Sequence, residues 1–339
     1  MILLGAALAL AYIPGWTGSH VQTGWAVLSL VLPWTMWRGG PPSPLHLFGL
    51  AFLWFGAASL FWTPTFLDGA ETLWHLVIFG LAFYWAPDPR RLLIGLAIGL
   101  SVSSALAIGQ QLGFRPVLQI TVARQSGLFF NPLVLGAASA MVIVGLMTER
   151  LWWWTLPLLP GFVLAGSRGA WLAAIVASTA MVAGRLRWLV PPVVLAGAAC
   201  LFFTFGDPNG ALRLSFWHAT IEGLSPLGHG VGSFTSLIIL TPGGLERPGF
   251  AHNQFLTLLY EFGAAAAVPI LIAALALWRS DAKEWPIFVC GLVIALLFDP
   301  LAQPLLGFLF VVAAGRCVSA PALVRHGLAA GGRPCHVEA

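Results

Sequence analysis

The chain has 339 residues, 59% of them hydrophobic and only 8% charged, with a formal net charge of +4. A water-soluble domain carries about 25% charged residues, so this composition cannot cover a water-facing surface and excludes an ordinary soluble enzyme. It reads as an all-α polytopic membrane protein, a single integral membrane domain over 1–339.

A membrane span needs roughly 17–25 apolar residues. Twelve segments of this character, several of them short, follow one another at 2–14, 22–37, 45–62, 70–86, 91–112, 127–147, 151–165, 168–184, 187–206, 252–278, 285–298 and 301–316. The first, in MILLGAALALAYIPGW, lacks a basic leader and a small-residue cleavage site, and is expected to be a retained helix. Trp34, Trp37, Trp62, Trp85, Trp152, Trp153, Trp154 and Trp285 fall near span ends, where amphipathic rings anchor at the interface. Cys200, Cys290, Cys317 and Cys335 form no spacing that suits a disulfide framework or a zinc site. The longest loop is 207–251, and 317–339 is expected to be a tail.

Basic residues sort between alternate loops. Arg38, Arg90, Arg91, Arg150, Arg185, Arg187, Arg279, Lys283, Arg316, Arg325 and Arg333 fall on one side, which the positive-inside rule makes cytoplasmic. This bias explains the basic excess without a nucleic-acid partner. The other side holds Arg115, Arg124, Arg168, Arg213 and Arg247, with the 207–251 loop. Insertion bias gives no reason for these five. All are arginine, whose planar fork fits phosphate oxygens. An anionic ligand at the outer face accounts for them; headgroup contacts or loop ion pairs are the plainer account, and Glu246 beside Arg247 favours it there.

Within LAGSRGAW, Gly166-Ser167-Arg168-Gly169 forms a tight turn between two spans, placing Arg168 at the N-terminal end of the second, where the helix dipole favours anions. An arginine there either binds a ligand or snorkels to the interface. Asp207-Pro208-Asn209-Gly210 signals a turn. From Ala211 the apolar spacing predicts a short amphipathic helix lying flat on the outer leaflet, with Arg213, Trp217 and Thr220 or Ile221 on one face. It ends in SPLGHGVGSF, a Gly-rich turn suited to close approach by a ligand. His252, Asn253 and Gln254 open the tenth span on the same side as Arg168. His252 suits proton transfer or a backbone-bonded cap, and Asn253 suits sugar hydroxyls or the helix start. Glu261 is expected to be a buried partner for a polar group of a neighbouring helix. The outer-facing acids Asp68, Glu71, Asp207, Glu222, Glu246 and Asp299 are scattered, and there is no Asp-x-Asp, so no divalent-metal site is expected.

Four stretches, GLFFNPLVLG (127–136), GSRGAW (166–171), ALRLSFWHATIEGLSPLGHGVGSF (211–234) and HNQFLTLLYEFG (252–263), taken in this order around one large outer loop, resemble the O-antigen ligase and O-antigen polymerase superfamily. The resemblance covers roughly 120–270. It implies a membrane glycosyltransferase needing neither metal nor cofactor, at the periplasmic face of the bacterial inner membrane. The donor would be an undecaprenyl-diphosphate-linked glycan. The acceptor would be lipid A–core or another lipid-linked glycan, with membrane lipids and a chain-length regulator as further partners. Carried over, Arg168 and Arg213 bind the diphosphate, and His252 acts on the acceptor hydroxyl or holds the substrate. Arg115, Arg124, Asn131, Ser167, Trp217 and Asn253 are the substrate-binding candidates. Two departures accompany it: the chain is short, and Leu133 stands where members often have a second asparagine. The rival class is a twelve-span transporter or flippase. Its polar groups would gather near the midplane between repeated halves, whereas here they gather at the outer face.

Overall fold

The computed structural model describes residues 1–10, 25–30, 44–84, 88–114, 125–129, 131–183, 208–241, 244–246, 251–278 and 282–330. These residues are mostly helical. Three helical stretches, Phe66–Phe83, Pro89–Gln111 and Gln254–Trp278, are long and apolar enough to cross a membrane. Shorter apolar helices accompany them, among them Pro132–Thr148 and Trp285–Leu297. Large apolar side chains stand on the outer surface, with Phe61 95% and Trp278 87% exposed. Such a surface is costly in water and at ease in hydrocarbon.

The Pro132–Thr148 helix is the centre of the packing. Pro132 and every residue from Val134 to Leu146 are buried, as expected of a helix that is apolar all round. Around it pack Pro89–Gln111, Arg168–Ala183 and Trp285–Leu297. The N-terminal helix, Ile2–Leu10, crosses Pro89–Gln111 at glycines: a Cβ on Gly5 would lie 2.6 Å from the Leu92 carbonyl oxygen. Small residues let the two backbones meet.

Several boundaries differ from the sequence-based expectation, each for a local reason. Asp88 caps Pro89–Gln111 by accepting from the Arg90 and Arg91 amides at 3.1 and 3.4 Å, with Pro89 in the first turn. The span expected from 127 begins as helix only at Pro132. The chain before it is tied to the neighbouring helix, where Gln110 Oε1 accepts from the Ser126 and Gly127 amides and Ser103 Oγ accepts from Leu128. The 151–165 segment is part 3-10 helix, Trp152–Leu158, followed by a short α-helix, Leu159–Leu164. Seven 3-10 residues rise about 14 Å, so the segment reaches further than an α-helix of its length. Phe66–Tyr84 starts before the expected 70 and carries Asp68 and Glu71 in its first turns. Pro304–Ala330 continues well into the expected tail. Trp285, expected at the interface, is instead buried, and its indole donates to the Leu277 carbonyl at 3.1 Å. The 187–206 span, Trp34, Trp37 and Trp85 lie outside the described residues.

The tenth span is broken. Gln254–Phe262 and Ala267–Trp278 are separated by a 3-10 turn, Gly263–Ala266. Gly263 has φ 54, and the Ala264 amide donates to the Pro226 carbonyl at 2.8 Å. The outer loop is thus inserted against the break. It holds a helix, Pro208–Glu222, and a strand pair the sequence reading missed, Ile239–Thr241 with Gly244–Glu246, antiparallel with Ile239 opposite Glu246. The signal was Thr241-Pro242-Gly243-Gly244 between apolar runs.

Two ends of the helix bundle emerge. Pro132–Thr148 finishes at Glu149, whose carboxylate meets Lys283 Nζ at 2.8 Å. Arg316 and Glu284 pair at 3.2 Å nearby. The same central helix begins at Asn131, a length of about 25 Å away, beside Ser167 and Arg213. Among the described residues, Lys283 and Arg316 of the first set therefore sit at one end of the central helix, and Arg213 of the second sits at the other.

Candidate functional site

The end of the bundle that holds Arg213 is built on backbone that the sequence constrains tightly. In LGHGVGS, Gly228, Gly230 and Gly232 all have positive φ (71, 92 and 74). A Cβ on Gly230 would lie 2.8 Å from the Ser59 carbonyl oxygen, and one on Gly232 2.6 Å from the Gly69 amide. The close approach expected for a ligand is made by the protein itself. The loop threads between two helices, with the Gly230 amide on the Glu261 carbonyl and the Val231 amide on Ser59 Oγ. His229 is half-buried, stacks on Tyr260 at 4.3 Å and has Nε2 2.6 Å from the Gly223 carbonyl. Glu261 is buried and accepts from the Phe234 amide at 3.4 Å and from Gly232. Its partner is this loop's backbone, not the side chain of a neighbouring helix.

His252 lies just before the tenth span, which begins at Gln254. Its backbone is left-handed, φ 55, uncommon for a residue with a Cβ and a form of strain that collects at functional sites. Neighbours over-determine it. The Trp217 indole donates to the Ala251 carbonyl at 3.0 Å, and the Ala251 amide donates to Thr257 Oγ1 at 3.2 Å. Thr257 Oγ1 in turn donates to Asp299 Oδ1 at 2.7 Å. Leu301 donates to Gln254 Oε1 at 2.9 Å. The imidazole lies nearly parallel to the Phe216 ring, 6.0 Å between centroids, with Phe298 at 6.5 Å. Burial first, and the Arg213 charge second, lower the His252 pKa to about 4. The ring is held neutral at physiological pH.

Arg213 faces this cluster from Pro208–Glu222. Phe216 and Thr220 of that helix are buried and Arg213 and Trp217 half-buried, while Leu214 and Ile221 are exposed. The expected shared face holds for Arg213, Trp217 and Thr220, and it is turned inward; Ile221 belongs to the exposed one. A cavity of about 40 Å³ brings Arg213 together with Ser167, Gly169, Ala170 and Phe298. Ser167, Gly169 and Ala170 are the N-terminal turn of Arg168–Ala183, where Ser167 Oγ caps the helix by accepting from Ala170 at 3.4 Å. Arg168 is its first residue, half-buried. Guanidinium and helix N-terminus thus converge on one cavity, an arrangement suited to anions.

Asn131 and Asn253 have a structural duty. Asn131 caps Pro132–Thr148 through Leu133 at 2.8 Å, and Asn253 caps Gln254–Phe262 through Phe255 and Leu256 at 3.1 and 3.2 Å. Trp217 spends its indole N–H on the Ala251 carbonyl rather than on a ligand. Arg115, Arg124 and Arg247 lie outside the described residues.

Asp299 was counted among scattered acids and is the residue that sequence reasoning missed. It is 1% exposed, and burial pushes its carboxyl up to about 7, opposed by Thr257, the His252 amide and Arg213. It lies 47 residues from His252 in an unremarkable Phe-Asp-Pro, and only the fold joins them. It also borders a second cavity, of about 270 Å³, whose lining does not include Arg213. An apolar groove of about 160 Å³ shares Leu76, Gln254, Leu258 and Leu301 with that cavity. Among the described residues no group of three or more His, Cys, Asp or Glu side chains is arranged to hold a metal. In comparison with known proteins, no family model matches the chain and no curated protein matches its sequence.

Proposed function

We propose that the protein is a membrane glycosyltransferase that moves a glycan from a polyprenyl-diphosphate donor to an acceptor hydroxyl, with twelve spans and the site on the periplasmic side of the bacterial inner membrane. One observation carries the reading: Arg213 and the helix N-terminus at Ser167–Ala170 meet around one cavity, within electrostatic reach of His252 and Asp299. The gathering of charged groups at one end, with none of these in the middle of the bundle, favours an enzyme acting at the lipid surface over a transporter.

In this reading the acceptor oxygen attacks the anomeric carbon. The bond from that carbon to the diphosphate breaks, and its electron pair leaves on the diphosphate. Arg213 and the N-terminal turn of the Arg168 helix line the cavity where that charge would grow, and Arg168 is the first residue of that helix. Neutral His252 takes the hydroxyl proton. Part of what keeps its basicity low is the Arg213 charge; a bound diphosphate offsets that charge and makes His252 a better base when the donor is present. A single displacement inverts the anomeric centre. The test supplies purified protein in lipid nanodiscs with a synthetic lipid-linked repeat, with and without lipopolysaccharide core. Repeat ladders without core mark a polymerase, and a single addition to core marks a ligase. A retained anomeric configuration or a trapped glycosyl-enzyme would refute the displacement. Absence of transfer, together with substrate movement across liposomes, would replace the enzyme with a transporter.

A further inference from the structure

The left-handed backbone of His252 has a cause outside its own side chain. φ measures the rotation of the preceding peptide plane about the N–Cα bond, so a φ of 55 depends on the hold on the Ala251–His252 peptide. That plane is gripped on both of its polar edges. On one, the Ala251 carbonyl accepts from the Trp217 indole at 3.0 Å. On the other, the His252 amide donates to the Asp299 carboxylate. Thr257 joins the two: its Oγ1 accepts from the Ala251 amide at 3.2 Å and donates to Asp299 Oδ1 at 2.7 Å. The chain beyond His252 is fixed as well. Asn253 caps the helix that starts at Gln254, and the Asn253 carbonyl accepts from the Thr257 amide at 3.1 Å.

Two separate elements supply this clamp. Thr257 belongs to the tenth span and Trp217 to Pro208–Glu222. Trp217 stands one turn after Arg213 on the same inward face. Beside it, Phe216 lies nearly parallel to the imidazole, 6.0 Å between centroids. The helix that brings Arg213 to its cavity therefore also holds the peptide that carries His252. Neither Trp217 nor Thr257 is among the residues lining that cavity.

We infer that Trp217 and Thr257 are positioning residues, which clamp the peptide before His252 and so hold its imidazole in register with Arg213. The inference rests on the transferase reading and adds to it. A donor held by Arg213 and a proton acceptor tied to the same helix keep one separation, and small misplacements of a reacting group lower the rate steeply. Released, the peptide relaxes toward negative φ, the region open to residues with a Cβ. The ring then leaves the acceptor hydroxyl while the anion cavity stays whole.

Three variants separate this role from plain structural support. Trp217→Phe keeps a ring and drops the N–H. Thr257→Val keeps the shape and drops the hydroxyl, and Thr257→Ser keeps the hydroxyl. All are assayed in nanodiscs with a lipid-linked donor and a glycan acceptor. Trp217→Phe and Thr257→Val are expected to lower kcat about tenfold with donor KM unchanged, and Thr257→Ser to recover most of the rate. A raised donor KM with unchanged kcat in Trp217→Phe would make that residue a substrate contact and overturn its positioning role. Equal rates in Thr257→Val and Thr257→Ser would do the same for Thr257. Hydrogen exchange over 251–254 reads the clamp without turnover. It is expected to quicken in Trp217→Phe and Thr257→Val, and unchanged exchange would refute the clamp. No transfer by the wild type would end the transferase reading and this role with it. Wild-type transfer with kcat unaltered in Trp217→Phe and Thr257→Val would remove the role alone.

Discussion

The two ends of the helix bundle handle charge in opposite ways. At one end Lys283 meets Glu149 and Arg316 meets Glu284, opposite charges paired at 2.8 and 3.2 Å at the termini of helices. At the other end Arg213, His252 and Asp299 are gathered into one cluster, each within electrostatic or hydrogen-bond reach of the next. His252 is held neutral among aromatic rings in a left-handed backbone, and Asp299 is sunk to 1% exposure. The first arrangement neutralises charge and closes the accounts of two helix ends. The second keeps charge and backbone strain in place, a combination that collects at functional sites. The contrast implies that substitutions at the second end cost activity and those at the first cost little of anything.

The largest effect should come from the arginines. Arg168→Ala and Arg213→Ala are each expected to lower glycan transfer by a factor of about 100 or more with membrane expression intact. Full activity in either variant would remove that residue from the anion site and weaken the contrast between the ends.

Next is the buried pair, whose pH effects have opposite signs. His252, at about 4 when folded and near 6.5 when unfolded, loses stability as pH falls from about 6.5 to about 4, because the unfolded chain binds the proton more readily. Asp299, at about 7 when folded against 3.8, loses stability as pH rises from about 4 to about 7. In the wild type the two slopes largely cancel between pH 4 and 6.5. Relative to wild type, Asp299→Asn should therefore gain thermal stability as pH rises across this window, and His252→Gln should lose it. Parallel melting curves across the window for all three proteins would separate these groups from the electrostatics of the site.

A smaller effect is expected from the glycine strap. Gly232→Ala forces a Cβ against the Gly69 amide at positive φ and should cost about 1–3 kcal/mol. Gly49→Ala, in open space on a helix, should be neutral or gain up to about 1 kcal/mol. Differential scanning fluorimetry in nanodiscs checks both, and equal shifts would dismiss the strap. The smallest effect belongs to Lys283→Ala. Its side chain is 58% exposed, so the loss should stay below about 1 kcal/mol, with transfer rates unchanged.

Much of the helical order was legible in the sequence, because apolar runs, Asp-Pro and Asn-Pro caps and loop charge are local signals. Pro89–Gln111 and Arg168–Ala183 fall close to where they were expected. The Trp285 anchor and the open Gly-rich turn were misjudged for one reason. A side chain's type shows what it can bond, and only its neighbours show what it does bond. The Gly-rich turn touches Ser59, Gly69 and Glu261, residues far apart in the chain.

The amino-acid sequence by itself determined that this is a chain of apolar helices, and which arginines stand apart from the topological bias. Hydropathy and charge act residue by residue and need no fold to be read. Tertiary structure alone decided that Asp299 lies by His252, that Arg213 faces the start of the Arg168 helix, and that Asp68, Glu71, Glu261 and Asp299 line one cavity. Those relations are distances between groups many residues apart, and they come into being only when packing brings the helix ends together.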